Sequence, residues 1–239
     1  MHNQCKSYAE QSTCVDALAG KCQELRKRLG YSDPDARSVA LNNLISISRA
    51  CQMHLNLMDS WNRGDEGVRQ VIPQLIGLQT VTVESVNMSG DYLNKFSRLG
   101  FGVLAQFQIE NVLRNISREL GIKRNSTGFY RTASSLLKIL NIPDDRMDIL
   151  NVPARIRNSL HANGIHHRSH PSEKETVIIE GIEYTFKDGE RVSCAGWEHI
   201  AHAFSHSVGV LDEIFHTPEV MALSDPLMDR YAWEMSKDT

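Results

Sequence analysis

Arg157, Asn158 and His161 stand within one short polar stretch of the chain. In a helix, residues four positions apart face the same way, so Arg157 and His161 would be neighbours with Asn158 beside them. A neutral imidazole accepts a proton near pH 7, and a guanidinium stabilises the negative charge on a phosphate oxygen. These residues therefore suit cleavage of a phosphodiester, with an RNA 2′-hydroxyl as the attacking group and no metal required. The alternative is structural: an arginine that caps or ion-pairs, and a histidine satisfied by a backbone carbonyl.

The local charge favours a nucleic-acid site. Residues 151–170 contain three Arg, four His and no acidic residue, and residues 111–131 contain five basic residues and one acidic residue. If the two segments are neighbours, they form a basic face on a protein whose net charge is -3. That net charge excludes a polycation that coats nucleic acid over its whole surface. The alternative is a solvated face that balances the acidic stretch after Asp212.

Two segments together resemble a HEPN domain: Phe107-Gln108-Ile109-Glu110-Asn111-Val112-Leu113-Arg114, and Arg157-Asn158-Ser159-Leu160-His161-Ala162-Asn163-Gly164. The resemblance covers roughly residues 90–215. It implies an up-and-down helical bundle that dimerises. Many members of this superfamily are metal-independent ribonucleases of toxin–antitoxin, phage-defence and RNA-processing systems, and others are non-catalytic binding or assembly modules.

The resemblance also implies roles for individual residues. Its motif is an arginine, four to six residues and a histidine, so His161 matches the acid/base. Three residues separate Arg157 from His161, and five separate Arg155 from it. Arg155 fits the length but lies about 240° around the helix from His161, against about 40° for Arg157. We therefore assign Arg157 to the phosphate, with Arg155 in reserve.

The remaining candidates surround this pair. Asn158 would orient Arg157 or bind phosphate, and Arg114 and Asn163 would contact substrate. Glu110 resembles the acidic residue that faces the motif in this superfamily, and it would orient Arg157 or Arg114. Its alternative role is a surface pair with Arg114, worth only about 0.3–0.5 kcal/mol.

Two groups of histidines offer competing sites. His199, His202 and His206 fall on one helical stripe and could hold zinc, but the spacing suits two ligands and not the third. The alternatives for these histidines are packing in the core or an interface, or a contribution to the Arg157/His161 cleft. We predict neither a metal nor another cofactor. His166, His167 and His170 are predicted to lie in a solvated loop. The chain lacks the GxSxG motif of a serine nucleophile. It also lacks the GxxxxGK[ST] and GxGxxG motifs, so nucleotide hydrolysis and dinucleotide chemistry have no support in the sequence.

The elements that must position these residues are mostly helices. Gly30 predicts the end of one helix, and Asp33-Pro34 the start of the next. A helix is predicted from Asp91 to Leu120-Gly121, with close helix contact or a break at Gly100 and Gly102. Another helix is predicted from Asn151-Val152-Pro153 to Asn163-Gly164. A hairpin follows at about 174–193, and then a helix over 197–215. Residues 68–89 are predicted as helix.

The fold class is therefore mainly α, a HEPN-like helical bundle with a small β-hairpin insertion between its last two helices. We expect a helical N-terminal extension over 1–89, the bundle over 90–215 and an acidic tail over 216–239. No apolar run approaches the roughly 18 residues of a membrane span. The five cysteines form no CxxC pair, which favours reduced thiols and a cytoplasmic protein.

The sequence predicts a metal-independent endoribonuclease, a toxin or phage-defence effector with RNA as substrate, forming a homodimer and regulated by an antitoxin or another defence protein. The second hypothesis is a non-catalytic HEPN-like dimerisation module that binds RNA, a nucleotide or a partner protein. The third is a metal-dependent hydrolase built on His199, His202 and His206.

Overall fold

A computed structural model describes residues 7–75, 77, 82–122, 128–168 and 174–229. These residues are mainly helical, as predicted, with one small antiparallel sheet between the last two long helices. Three predicted regions fall at least partly outside the described residues: His170, positions 76 and 78–81 of the helix predicted over 68–89, and the tail from residue 230. The elements are α1 Tyr8–Leu29, α2 Ala36–Arg63, α3 Glu66–Leu75, α4 Val83–Glu119, α5 Phe129–Ile139, α6 Asp145–His161, β1 Thr176–Ile179, β2 Ile182–Thr185, α7 Trp197–Phe215 and α8 Pro218–Met221.

The first two helices pack against each other as a hairpin. Gly30 ends α1 in the left-handed conformation, as predicted, and its N–H donates to the Arg26 carbonyl. The predicted start of α2 at Asp33-Pro34 is wrong by two residues, because Asp35 is the N-cap and accepts from the Arg37 N–H. Asp35 is fully buried. Its pairing with another buried residue explains why Asp35, and not Asp33, caps α2.

That partner is Arg37, whose guanidinium contacts the Asp35 carboxylate at 2.6 Å with both side chains fully buried. Arg37 also donates to the carbonyls of Val220 and Ser224, and Asp35 accepts from the Leu227 N–H at 2.7 Å. The start of α2 therefore holds the C-terminal segment after α8 in place through charge-assisted hydrogen bonds.

The long helix α4 ends at the predicted place but starts eight residues before Asp91. Gly100 and Gly102 lie within it without a break, and a Cβ on either would meet no atom within 4 Å. The prediction of close helix contact there is wrong. The close approach is at Gly90, where a Cβ would lie 2.1 Å from Met58 Cε of α2.

Pro153 lies inside α6, so the predicted helix start at Asn151-Val152-Pro153 is wrong. Proline has no N–H to donate to the carbonyl four residues earlier. That carbonyl belongs to Ile149, and Ser207 Oγ of α7 lies 3.5 Å from it while donating to Ala203 at 3.1 Å. Packing against α7 therefore lets the helix continue through the proline.

The hairpin and the following helix match the prediction. Strands β1 and β2 pair with Ile179 opposite Ile182, and Glu180 and Gly181 form the two-residue turn with φ of 43° and 82°. Tyr184 and Phe186 are fully buried and fix the hairpin to the bundle. Helix α7 runs from Trp197 to Phe215.

One apolar core joins residues of α1, α2, α4, α5, α6, α7 and the hairpin. The predicted boundary between residues 89 and 90 lies within α4. Helices α1 and α2 share this core with the part of the chain that carries the motif, so they are in position to support it.

Candidate functional site

Glu110 occupies the centre of a polar cluster where α4 packs against α6. Its Oε1 lies 3.1 Å from Arg157 Nη1 of α6, and its Oε2 lies 3.2 Å from Arg114 Nη2 one turn along α4. Gln106 Nε2 approaches Oε1 at 3.4 Å from the preceding turn. The Glu110 side chain is 12% exposed, so one nearly buried carboxylate orients two arginines.

Arg157 remains accessible although it is paired. Its side chain is 23% exposed, and its Nε donates to Asn158 Oδ1 at 3.1 Å. Asn158 is itself exposed. Glu110 and Asn158 therefore hold the guanidinium in place, and its exposed part can still bind an anion from solvent.

His161 is the last residue of α6, one helical turn after Arg157, and it is exposed. The helix ends here because Asn163 and Gly164 both adopt the left-handed conformation, with φ of 57° and 83°. Asn163 is exposed just beyond this end. The fold therefore brings Arg157, Asn158 and His161 together at one solvent-facing end of α6.

Arg155 is not part of this group. It is 4% exposed, its Nη1 donates to the Lys174 carbonyl at 2.7 Å, and its guanidinium lies 4.0 Å from the Phe186 ring centroid. Such a contact of a cation with an aromatic face is worth about 2 kcal/mol when desolvated. Arg155 therefore attaches the motif helix to the hairpin.

His166 is also buried, at 2% exposure, so its predicted place in a solvated loop is wrong. The His166 ring lies 5.3 Å from the Phe186 ring, and the His166 backbone N–H donates to the Glu190 carbonyl. Backbone pairing with the segment after the hairpin draws the start of this loop into the core. His167 is exposed, as predicted.

The C-terminal segment reaches the same part of α4. Asp229 accepts from Asn111 Nδ2 at 3.0 Å and from Asn115 Nδ2 at 3.3 Å. Asn111 and Asn115 each follow a member of the Glu110 cluster in the sequence, so the C-terminal segment contacts α4 at the same level along the helix. The sequence offered no signal for this contact, which joins residues more than a hundred positions apart.

A second polar cluster lies between the hairpin turn and α7. One ligand atom each of Glu180, His202 and His206 lie within 4.8 Å of one another. His206 Nε2 is 3.6 Å from Glu180 Oε2, and the His202 and His206 rings are 4.3 Å apart. His199 is not in this group, because its Nδ1 faces Glu198 at 3.2 Å.

Burial lowers the pKa of His202, and the neighbouring His206 acts in the same direction. Burial also lowers the pKa of His206, against an opposing effect of Glu180. Of the three histidines predicted to share one helical face, His202 and His206 belong to this cluster and His199 does not. The third member of the cluster is the carboxylate of Glu180 in the hairpin. Sequence spacing could not show this, because Glu180 is distant in the chain from both histidines.

The chain matches no protein-family model, no curated protein and no solved structure. Among the described residues, none of the helices combines the length and apolar character that a membrane crossing requires.

Proposed function

We propose that the protein is a metal-independent endoribonuclease of HEPN type. The observation that carries the proposal is the accessible Arg157 guanidinium, fixed at 3.1 Å by Glu110, with the exposed His161 one turn further along α6. A preorganised cation next to a general base can accelerate phosphodiester cleavage without a metal ion. The resemblance to toxin and phage-defence ribonucleases supports an effector role under the control of a partner protein.

In this reaction the neutral imidazole of His161 takes the proton of a 2′-hydroxyl, and the 2′-oxygen attacks the adjacent phosphorus. The bond between phosphorus and the 5′-oxygen breaks, and that oxygen receives a proton. The products are a 2′,3′-cyclic phosphate and a 5′-hydroxyl. Arg157 stabilises the charge that develops on the non-bridging oxygens, and Asn158 and Glu110 keep its guanidinium in position.

A homodimer supplies the second proton-transfer group. If two copies pair about a two-fold axis at the exposed end of α6, each contributes one Arg157 and one His161 to a shared cleft. The imidazolium of one copy then protonates the leaving 5′-oxygen while the other accepts the 2′-hydroxyl proton. RNA would lie along the seam.

The test is incubation of the purified protein with total RNA in excess EDTA. We expect cleavage that leaves 2′,3′-cyclic phosphate ends and is lost in Arg157→Ala and His161→Ala. Arg146→Ala and His216→Ala are matched controls: Arg146 pairs with Glu213 at the other end of α6, and His216 lies just after α7. Cleavage by the two site variants at the parental rate would refute the proposal.

The second candidate is a non-catalytic module that binds RNA, a nucleotide or a protein. The ion pair between Arg157 and Glu110 favours this second function. The Glu110 carboxylate offsets the positive charge of the guanidinium, which therefore stabilises a transition state less. The same experiment separates the two functions. A module binds RNA in a way that depends on Arg157, without producing cyclic phosphate ends.

A further inference from the structure

We propose that Glu180, His202 and His206 form a binding site for a zinc-type divalent transition-metal ion that fastens the hairpin turn to α7. The three residues come from two separate elements, so a bound ion would connect them. This site is distinct from the proposed ribonuclease site, whose residues lie on α4 and α6. Its existence does not depend on RNA cleavage.

The geometry is close to what such an ion needs. His202 and His206 are four residues apart on α7, the spacing with which two imidazoles on one helical face bind zinc. A zinc–nitrogen distance of about 2.0–2.1 Å in tetrahedral geometry places ligand atoms about 3.4 Å apart. The three ligand atoms lie within 4.8 Å of one another before any ion draws them in. Glu180 is 76% exposed, so its side chain can make the adjustment.

The surroundings of His202 orient it as a ligand. Tyr184 Oη lies 3.1 Å from the His199 carbonyl and 2.7 Å from His202 Nδ1. A phenol has one proton. When it is donated to the carbonyl, the phenol oxygen accepts from Nδ1–H of His202, and Nε2 keeps its lone pair. A hydrogen bond of this kind to the far nitrogen is the usual support of a metal-bound histidine.

The hairpin turn itself carries a second indication. A two-residue turn of this kind favours Asn, Asp or Gly at its first position, where φ is positive. Here that position holds Glu180, with φ of 43°. Strained residues of this type concentrate at functional sites. A glutamate at this point has the length to reach α7, which an asparagine or a glycine lacks.

The three protein ligands carry one negative charge, on Glu180, which partly compensates the charge of a divalent ion. Lys21 of α1 acts electrostatically on both imidazoles and opposes this effect. Among the residues that the structure describes, no cysteine belongs to this group of ligand atoms. Three protein ligands leave one position for water.

The experiment is zinc titration of the metal-free full chain by calorimetry, with cobalt absorption as a second probe. We expect one ion per chain, a cobalt spectrum without a thiolate charge-transfer band, and a higher Tm with zinc. Glu180→Gln and His206→Ala should weaken binding at least about 10-fold, the lower end of what altering even the outer partners of a metal site costs. His199→Ala is the matched control on the same helical stripe and should bind as the parent does.

Glu180→Asn makes the test independent of folding defects. Asparagine suits the turn better than glutamate, so the metal-free variant should have a Tm no lower than the parent, while its response to zinc is lost. Retained zinc binding in Glu180→Asn and Glu180→Gln would overturn the proposal. Equal loss in His199→Ala, or a parent that binds no zinc, would overturn it as well.

Discussion

Glu110 and Arg157 meet at 3.1 Å across the contact between α4 and α6, and the same carboxylate holds Arg114 through its other oxygen. One acid thus sets the position and part of the charge of the proposed phosphate-binding group. Removing the Glu110 charge affects the position of Arg157 and the net charge of the cluster. The first effect should change kcat for RNA cleavage, and the second should change KM.

Glu110→Gln should therefore split the kinetic constants for RNA cleavage. Loss of one negative charge between two arginines strengthens the attraction of RNA, so KM should fall several-fold at low salt. Loss of the anchor lets Arg157 move, and misplacement of this kind lowers kcat about 10- to 100-fold. Steady-state cleavage of a short fluorescent RNA measures both constants. An unchanged kcat would show that Glu110 does not position Arg157.

Arg37→Met should lower the free energy of unfolding by about 3–5 kcal/mol, because it leaves the fully buried Asp35 carboxylate without its cation. The carbonyls of Val220 and Ser224 lose their donors as well. Urea denaturation followed by circular dichroism measures the change. Arg28→Met is the control: Arg28 pairs with Asp212 at the surface, and its loss should cost no more than about 1 kcal/mol.

His54 should make the protein less stable in mild acid. Its ring packs against Tyr8, neither ring nitrogen hydrogen-bonds to a described residue, and burial lowers its pKa below the ordinary 6.5. Above that pH the ring is neutral in both states. As the pH falls below about 6.5, the unfolded chain takes up a proton that the folded protein resists, so the free energy of unfolding declines.

The variant His54→Leu removes this contribution. Its free energy of unfolding, measured in urea at pH 7.5, 6.5 and 5.5, should fall less steeply than that of the parent. His202 and His206 titrate in both proteins, so their effect cancels in the difference. Parallel curves for parent and variant would contradict the assignment.

Two glycines of α4 should respond oppositely to alanine. Gly100→Ala should stabilise the protein by up to about 1 kcal/mol, because alanine is the better helix former and the new Cβ meets no atom within 4 Å. Gly90→Ala should destabilise it by about 1 kcal/mol, because Met58 must move within a packed core. Thermal unfolding of both variants measures the two signs, and a gain in both would show that Met58 moves without cost.

The parts of the fold that the sequence predicted are those fixed by local patterns. The period of apolar residues defined α7, and the Glu180-Gly181 turn between alternating residues defined the hairpin. The helical spacing of Arg157 and His161 also placed them on one exposed end of α6. Each of these follows from residues within a few positions of each other.

The features that the sequence missed depend on contacts between distant elements. Pro153 continues a helix because Ser207 of α7 lies beside the carbonyl that the proline leaves without its usual donor. Asp35 and not Asp33 caps α2 because it pairs with Arg37 and the C-terminal segment. The Arg155 side chain packs against the hairpin because it donates to the Lys174 carbonyl and its guanidinium contacts the Phe186 ring. Local propensity carries no information on any of these partners.

The bond between the Asp35 carboxylate and the Leu227 N–H spans 192 positions of the chain. During synthesis the ribosome releases α1 and α2 before α8, so the Asp35 carboxylate lacks this partner until residue 227 has emerged. Domains fold as units during translation, and the contact that completes the start of α2 forms only when Leu227 is available. A nascent chain stalled before residue 220 would leave the Asp35 and Arg37 side chains without the partners that Val220, Ser224 and Leu227 supply.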